Sequence, residues 1–423
     1  MSQDPLVLGI DLGTSGVRIA VIDSNCALLQ TESAPYQIGL VNPFDWRDRC
    51  CALIGRLKPD YRHRLKAIAA DGTSGTLLAC DQQGLPLAEA LPYSLACPNV
   101  LDQLRDLSPQ GGPASSSSGS LARALHLVEQ HQAPLLLRHQ ADWISGWLLD
   151  DWSYGEEGNN LRLGWDLNKQ SWPDSFIRQP WWEALPEIRA SGSVFGPVSP
   201  QRAKDLDLPE DLLVVAGTTD SNAAVLTADA EDDEGITVLG STLVLKRFTD
   251  QPLAPWPGTS NHRVGGRWLC GGASNAGAAV LKQLFPDIDL AELSRQIDPD
   301  QISGLQLRPL PRCGERFPVD DPNLEPILTP RPVSDSLYLH GLLEGLTTIE
   351  QAGWQRLTSL GADPPKKIVT LGGGARNPQW RRLRERQLCV PIRSCNTPPA
   401  AGVARLALQA VKAPDKTIHL REN

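Results

Sequence analysis

Two short stretches of this chain follow one plan. Val7-Leu8-Gly9-Ile10 reads as a buried strand, Leu12-Gly13-Thr14-Ser15-Gly16 as a tight glycine turn, and Val17–Ile22 as a returning strand. Gly235-Ile236-Thr237-Val238-Leu239, Gly240-Ser241-Thr242 and Leu243-Val244-Leu245-Lys246 repeat it. Each stretch predicts a β-hairpin whose turn carries glycine and two hydroxyls but no bulky side chain. One such turn is ordinary. Two, each opening one half of a 423-residue chain, predict two related lobes.

Between the halves lies Asp229-Ala230-Glu231-Asp232-Asp233-Glu234, which reads as a solvated acidic connector. The expected domains are therefore 1–229 and 235–413, with a tail at 414–423. Elsewhere strands alternate with helices. Leu212–Ala216 is an apolar strand, Gly217-Thr218-Thr219-Asp220 turns the chain, and a helix follows from Ser221. Leu121–Gln130 has helical spacing, and Ser115–Ser118 before it reads as loop and cap. Leu339, Leu342, Leu343, Leu346 and Ile349 form a helical stripe that runs through Leu357 and stops at Gly361. Ile368–Leu371 is a strand, Asn377 caps a helix that begins at Pro378, and Ala400–Ala404 opens a last small-residue helix. The predicted class is α/β, with mixed sheets flanked by helices.

Composition excludes more than it names. Hydrophobic residues make up 41% and charged residues 21%, the mix of an ordinary globular protein. Forty Lys and Arg against forty-nine Asp and Glu give a net charge of −9, which disfavours a dedicated nucleic-acid binder. No apolar run approaches the ~18 residues of a membrane span. Asp11 breaks the first apolar stretch and no basic n-region precedes it, so no signal peptide is expected. The nine cysteines contain no C-x-x-C pair and predict reduced thiols in a cytoplasmic setting.

The glycine turns are the first candidates for chemistry. Without side-chain bulk, backbone N–H groups can approach a phosphate, and Thr14, Ser15, Ser241 and Thr242 add hydroxyl donors. Either turn alone is better explained as a plain hairpin, and it is the paired occurrence that points to phosphate binding. Asp11 closes an apolar strand, where a carboxylate is costly unless paired; beside a phosphate it could hold Mg²⁺, or simply hydrogen-bond the turn. Asp220 ends another apolar strand and fits both an N-cap and a general base. The cluster Gly372–Asn377 is not G-x-G-x-x-G, and the chain has neither a P-loop nor a G-x-S-x-G elbow. Trp143, Trp147, Trp152 and Trp165 suit a sugar face, with core packing the blander reading.

Taken in order, the motifs resemble the FGGY carbohydrate kinases, the glycerol-kinase and xylulokinase group of the actin–hexokinase–Hsp70 superfamily. The resemblance is carried by Gly9–Ser15, Gly217–Asp220, Leu239–Thr242, Gly314-Glu315-Arg316-Phe317-Pro318, Glu344-Gly345, Gly372–Asn377 and Ala401–Ala404. It implies two ribonuclease-H-like lobes with an ATP cleft between them and ATP–Mg²⁺ as cofactors. By the same resemblance Asp11 and Thr14 serve the metal and γ-phosphate, and Gly13, Thr14, Ser15, Gly240 and Ser241 meet the ATP phosphates. Gly373 and Asn377 lie near the adenine, and Asp220 is the base. Asp71-Gly72-Thr73-Ser74-Gly75-Thr76 stands where the family often has Gly-Gln-Met-His-Gly. That segment and Gly158–Asp166 resemble the compact pentulose kinases of cyanobacteria and plants, described as D-ribulose kinases or xylulose-kinase-like proteins.

This subgroup implies that Asp11, Ser74 and Asp220 bind a ketopentose. The expected reaction is D-ribulose to D-ribulose 5-phosphate, with D-xylulose as runner-up. The expected partners are the sugar and ATP, with no nucleic acid and no membrane, in a monomer or homodimer. A weak ATPase or sugar-sensing protein is the alternative from another class.

Overall fold

The computed structural model describes residues 4–108, 112–131 and 134–412. The expected tail at 414–423 lies outside them. The chain divides into two compact units. The first holds the described residues of Met1–Thr227, Arg263–Gly266 and Pro398–Asn423, and the second holds Ala228–His262 and Arg267–Thr397.

The first unit is built on β1 (Leu6–Leu12), β2 (Gly16–Ile22), β3 (Leu28–Pro35) and β4 (Leu65–Gly72). Two small sheets follow: β5 (Leu77–Cys80) with β6 (Leu136–His139), and β7 (Tyr154–Glu156) with β8 (Glu187–Arg189). Next come β9 (Val194–Pro197) and β10 (Leu213–Thr219), and the main sheet has the order β3-β2-β1-β4-β10-β9. β1 and β2 form the expected antiparallel hairpin, whereas β1, β4 and β10 run parallel. Contrary to the sequence reading, Gly217-Thr218-Thr219 does not turn. It continues β10, because Thr218 and Thr219 still pair with Asp71 and Gly72 of β4.

β1 is buried along its whole length. Leu8 and Ile10 pack with Trp46, Trp143 and Ile144 on one face. Val7, Gly9 and Asp11 share the other face. The helix Pro399–Lys412 packs there, against β1, β2, β4 and β10. A Cβ at Gly9 would lie 1.8 Å from the Ala400 carbonyl oxygen, and one at Gly402 would lie 2.0 Å from that of Ala223. The sequence reading assigned this helix to the second domain. It belongs to the first because its backbone closes on that of Gly9 and Ala223, where Gly9 and Gly402 carry no side chain to hold them apart.

The second unit repeats the plan with β11 (Glu234–Leu239), β12 (Leu243–Thr249), β13 (Thr259–Val264), β14 (Arg267–Ala273), β15 (Lys367–Leu371) and β16 (Ile392–Ser394). Their order is β13-β14-β12-β11-β15-β16. Thus β14-β12-β11-β15-β16 matches β3-β2-β1-β4-β10 in pairing sense, antiparallel in the first half and parallel in the second. The long helix Asp335–Ser359 covers one face. Its Glu350 takes both guanidinium arms of Arg384 at 2.6 and 2.7 Å and the Thr237 hydroxyl at 2.6 Å. A buried ion pair is tolerable when its polar atoms are matched in this way.

The acidic stretch at 229–234 is largely the solvated connector expected, with Asp229, Glu231 and Asp232 exposed, and it departs from that reading at its last residue. Glu234 is buried as the first residue of β11 and meets Arg393 at 2.7 and 2.9 Å, which lowers its pKa. Glu231 pairs with Lys367, and Asp232 with Arg267. The serines also differ: Gly119 occupies the N-cap of the helix Ser120–Gln130, and Ser116 and Ser118 bond each other instead.

Overpacking a filled contact between helix and sheet is costly. Gly9→Ala is expected to lower the unfolding free energy of the first unit by about 3 kcal/mol or more. Urea denaturation of the purified protein checks this, and a wild-type midpoint would refute the contact.

Candidate active site

Three carboxylates come together at one end of the first sheet. Asp11 ends β1 and Asp71 ends β4, and the parallel register pairs them directly. β10 pairs Thr218 with Asp71, and Asp220 follows two residues later as the first residue of the short helix Asp220–Leu226. Thr219 holds the N-cap position, so Asp220 is not the cap. Its carboxylate instead accepts the Ser221 N–H at 2.7 Å.

These acids face different surroundings. Arg18, the β2 partner of Asp11, meets it at 3.2 Å. Burial raises the pKa of Asp11, and Arg18 opposes the rise. Asp71 is fully buried, and neither of its oxygens has a hydrogen-bond partner. Burial, with the charges of Asp11 and then Asp220, pushes its carboxyl well above the usual range. Burial also raises Asp220, while the backbone N–H groups of Ser221 and Ser74 hold it down. Ser74 and Asp220 are therefore neighbours.

The loop carrying Ser74 is fixed from below. Gln140 Oε1 accepts the Thr73 N–H at 3.0 Å and the Thr73 hydroxyl at 2.8 Å. Gly75 has φ +99°, and a Cβ there would stand 2.7 Å from Arg123 Nη2. Arg123 donates to the carbonyls of Gly75, Tyr93 and Leu95. In the β1–β2 turn Gly13 N–H bonds Gly16 O at 3.0 Å, leaving Thr14 and Ser15 exposed at the tip. The tryptophans take the blander role: Trp143, Trp147 and Trp152 are buried in the core.

In the second unit Gly240 N–H bonds Thr242 O at 3.2 Å, closing the β11–β12 turn with Ser241 exposed. Gly372, at φ +86°, sits against it: a Cβ there would be 2.6 Å from Leu239 O. Gly373 is exposed beside it. Asn377 caps the helix Pro378–Leu388 as expected, accepting Trp380 N–H at 3.0 Å. Its amide also donates to Ser294 Oγ at 2.9 Å, so its side chain builds the turn. Within this unit the structure thus brings Gly240, Ser241, Gly373 and Asn377 to one edge.

Sequence reasoning missed Asp71 as a site residue. The signal was present, because Ala67-Ile68-Ala69-Ala70-Asp71 is an apolar run closed by aspartate, as at Asp11. Among the described residues no group of three or more His, Cys, Asp or Glu side chains is gathered closely enough to hold a metal alone. Mg²⁺ bound with a nucleotide needs only one or two carboxylates, since phosphates and water complete its shell. Asp11 beside the unpartnered Asp71 fits that smaller share.

No protein-family model matches the sequence. A xylulose kinase of Lactococcus lactis is 24% identical over 417 residues, covering 89% of this chain and 82% of that protein. An L-fuculokinase of Salmonella typhi is 22% identical over 436 residues, covering 93% and 89%. Over most of its length the chain is thus similar to sugar kinases named xylulose kinase and L-fuculokinase. Solved structures of sugar and glycerol kinases share its fold. A xylulose kinase from Brucella ovis superposes with TM-score 0.84 at 18% identity, covering 97% of this chain and 91% of its own. Plasmodium falciparum glycerol kinase with ADP gives 0.83 at 16% identity, covering 98% and 91%. Among the described residues no helix is long and apolar enough to cross a membrane.

Asp71→Asn removes a buried carboxyl without a partner and is expected to stabilise the metal-free protein at pH 7 by about 1–2 kcal/mol. The wild-type pKa is raised, so the folded state binds the proton more tightly than the unfolded one. That contribution is complete in acid and is lost as pH rises through the folded pKa. The gain from Asn should therefore vanish near about pH 4. Melting curves across this range check the sign.

Proposed function

We propose that this chain is an ATP-dependent sugar kinase acting on a ketopentose hydroxyl, converting D-ribulose to D-ribulose 5-phosphate, with D-xylulose as the competing substrate. The observation that carries the reading is the meeting of Asp11, Asp71 and Asp220 beside Ser74 at the ends of neighbouring strands. The kinase names of the curated relatives support phosphoryl transfer to a sugar. The resemblance of Asp71–Thr76 and Gly158–Asp166 to the compact pentulose kinases supports a pentulose.

In this reading Ser74 and Asp220 orient the sugar. As the sugar oxygen bonds to the γ-phosphorus, its proton passes to the Asp220 carboxylate. The bond from that phosphorus to the β,γ-bridging oxygen breaks, and ADP departs with the electron pair. A carboxylate with a raised pKa is a stronger base than an ordinary one. Mg²⁺ accompanying ATP supplies neutralisation of phosphate charge, and Asp11, assisted by Asp71, would hold it. Gly13, Thr14 and Ser15 in the first unit, and Gly240 and Ser241 in the second, offer backbone and hydroxyl donors to the phosphates. Gly373 and the Asn377 turn would lie by the adenine. The nine free thiols suit a reducing, cytoplasmic setting.

ADP release measured over D-ribulose, D-xylulose, L-fuculose, aldopentoses and glycerol tests the substrate. The greatest stimulation is expected from D-ribulose. No stimulation by any of them would leave a weak ATPase or sugar sensor. Asp220→Asn should fold normally and lose about 10²–10⁴-fold in sugar-dependent kcat. Asp11→Ala should abolish Mg²⁺-ATP turnover while the sugar still binds by calorimetry. Retained turnover in either variant would overturn that residue's role.

A further inference from the structure

The segment Gly314-Glu315-Arg316-Phe317-Pro318 belongs to none of the roles above, yet its glutamate is only 3% exposed. Glu315 Oε2 accepts the Ser274 hydroxyl at 2.6 Å. Its Oε1 accepts the backbone N–H groups of Asn275 at 2.7 Å, Arg316 at 2.9 Å and Phe317 at 3.3 Å. A buried carboxylate met by several neutral donors is held in one orientation and holds its donors in turn.

Ser274 and Asn275 lie on the loop after β14, and that loop grips the Gly240–Thr242 turn. Ser274 N–H bonds Leu243 O at 2.9 Å, and Leu243 N–H bonds Ala276 O at 2.7 Å. Ala278 N–H bonds Gly240 O at 2.9 Å, and Ala279 N–H bonds Ser241 O at 3.2 Å. A Cβ at Gly277 would lie 2.4 Å from Ser241 O, so the approach is close as well as bonded. The Ser274 hydroxyl donates to Glu315 and accepts Ala276 N–H at 2.9 Å, which passes the constraint along the loop. Asn275 closes it with a bond to Gly314 O at 3.0 Å.

We infer that Glu315 is a positioning residue for the glycine–hydroxyl turn of the second unit: it fixes the Ser274–Gly277 loop, and that loop fixes Gly240–Thr242. The consequence for catalysis rests on the reading of that turn as a phosphate cradle. Backbone donors help a phosphate only when they are aimed before it arrives.

The test uses the full chain and two substitutions. Glu315→Gln places an amide NH₂ where acceptor oxygens face donors. Ser274→Ala breaks the relay while leaving the Glu315 bonds to Asn275, Arg316 and Phe317 intact, and it carries the test should Glu315→Gln fail to fold. Amide hydrogen exchange at Leu243, Ala278 and Ala279 should accelerate roughly tenfold or more, the loss expected for a hydrogen bond to a charged group. The KM for ATP should rise by a similar factor. The KM for the sugar should stay within about twofold and kcat should fall less than the ATP term, since no group touching the reacting atoms is altered. Unchanged exchange at these amides in a folded variant would overturn the clamp. Faster exchange with an unchanged KM for ATP would uphold the clamp and refute the phosphate reading of the turn.

Discussion

Everything in the first unit hangs on the contact between a glycine and a helix far away in sequence. At Gly9 the backbone of β1 meets the Pro399–Lys412 helix with no room for a methyl group. That contact buries the face of the sheet on which Asp11 stands, and Asp11 in turn faces Asp71 across the strand pair. A carboxylate pair in such a place is held only by a finished fold. Water would otherwise solvate both groups and the tension between them would disappear.

The two sheets repeat one pairing scheme, but they spend it differently. In the first, the strand ends carry acids beside the Gly13–Ser15 turn. In the second, the ends of β11 and β15 carry glycine turns without an acid, and the buried Glu315 braces the loop behind Gly240–Thr242. The contrast is chemical. Carboxylates suit a proton and a cation, whereas backbone N–H groups suit anionic oxygens.

Much of this was legible in the sequence because it depended on local signals. The hairpin turns, the Asn377-Pro378 helix start and the alternation of strands with helices are set by residues close together in the chain. What remained illegible depended on long-range register. Asp71 closes an apolar run as plainly as Asp11 does, but only the parallel β1–β4 pairing makes it a neighbour of Asp11. The burial of Glu234 at the end of the acidic stretch was hidden because its partner Arg393 lies far along the chain. The last helix was assigned to the wrong unit for the same reason. Its alanine and glycine pattern announces a close approach, but does not name the partner.

The Pro399–Lys412 helix also imposes an order on biosynthesis. A ribosome adds about 5–20 residues per second, so this helix emerges on the order of tens of seconds after the strand it covers. The residues of the second unit are all synthesised before the first unit receives its closing piece. The usual sequence of vectorial folding, N-terminal part first, is therefore inverted here. During that interval the nascent chain exposes the bare backbone face around Gly9, and its protection then falls to whatever shields emerging polypeptide in the cell.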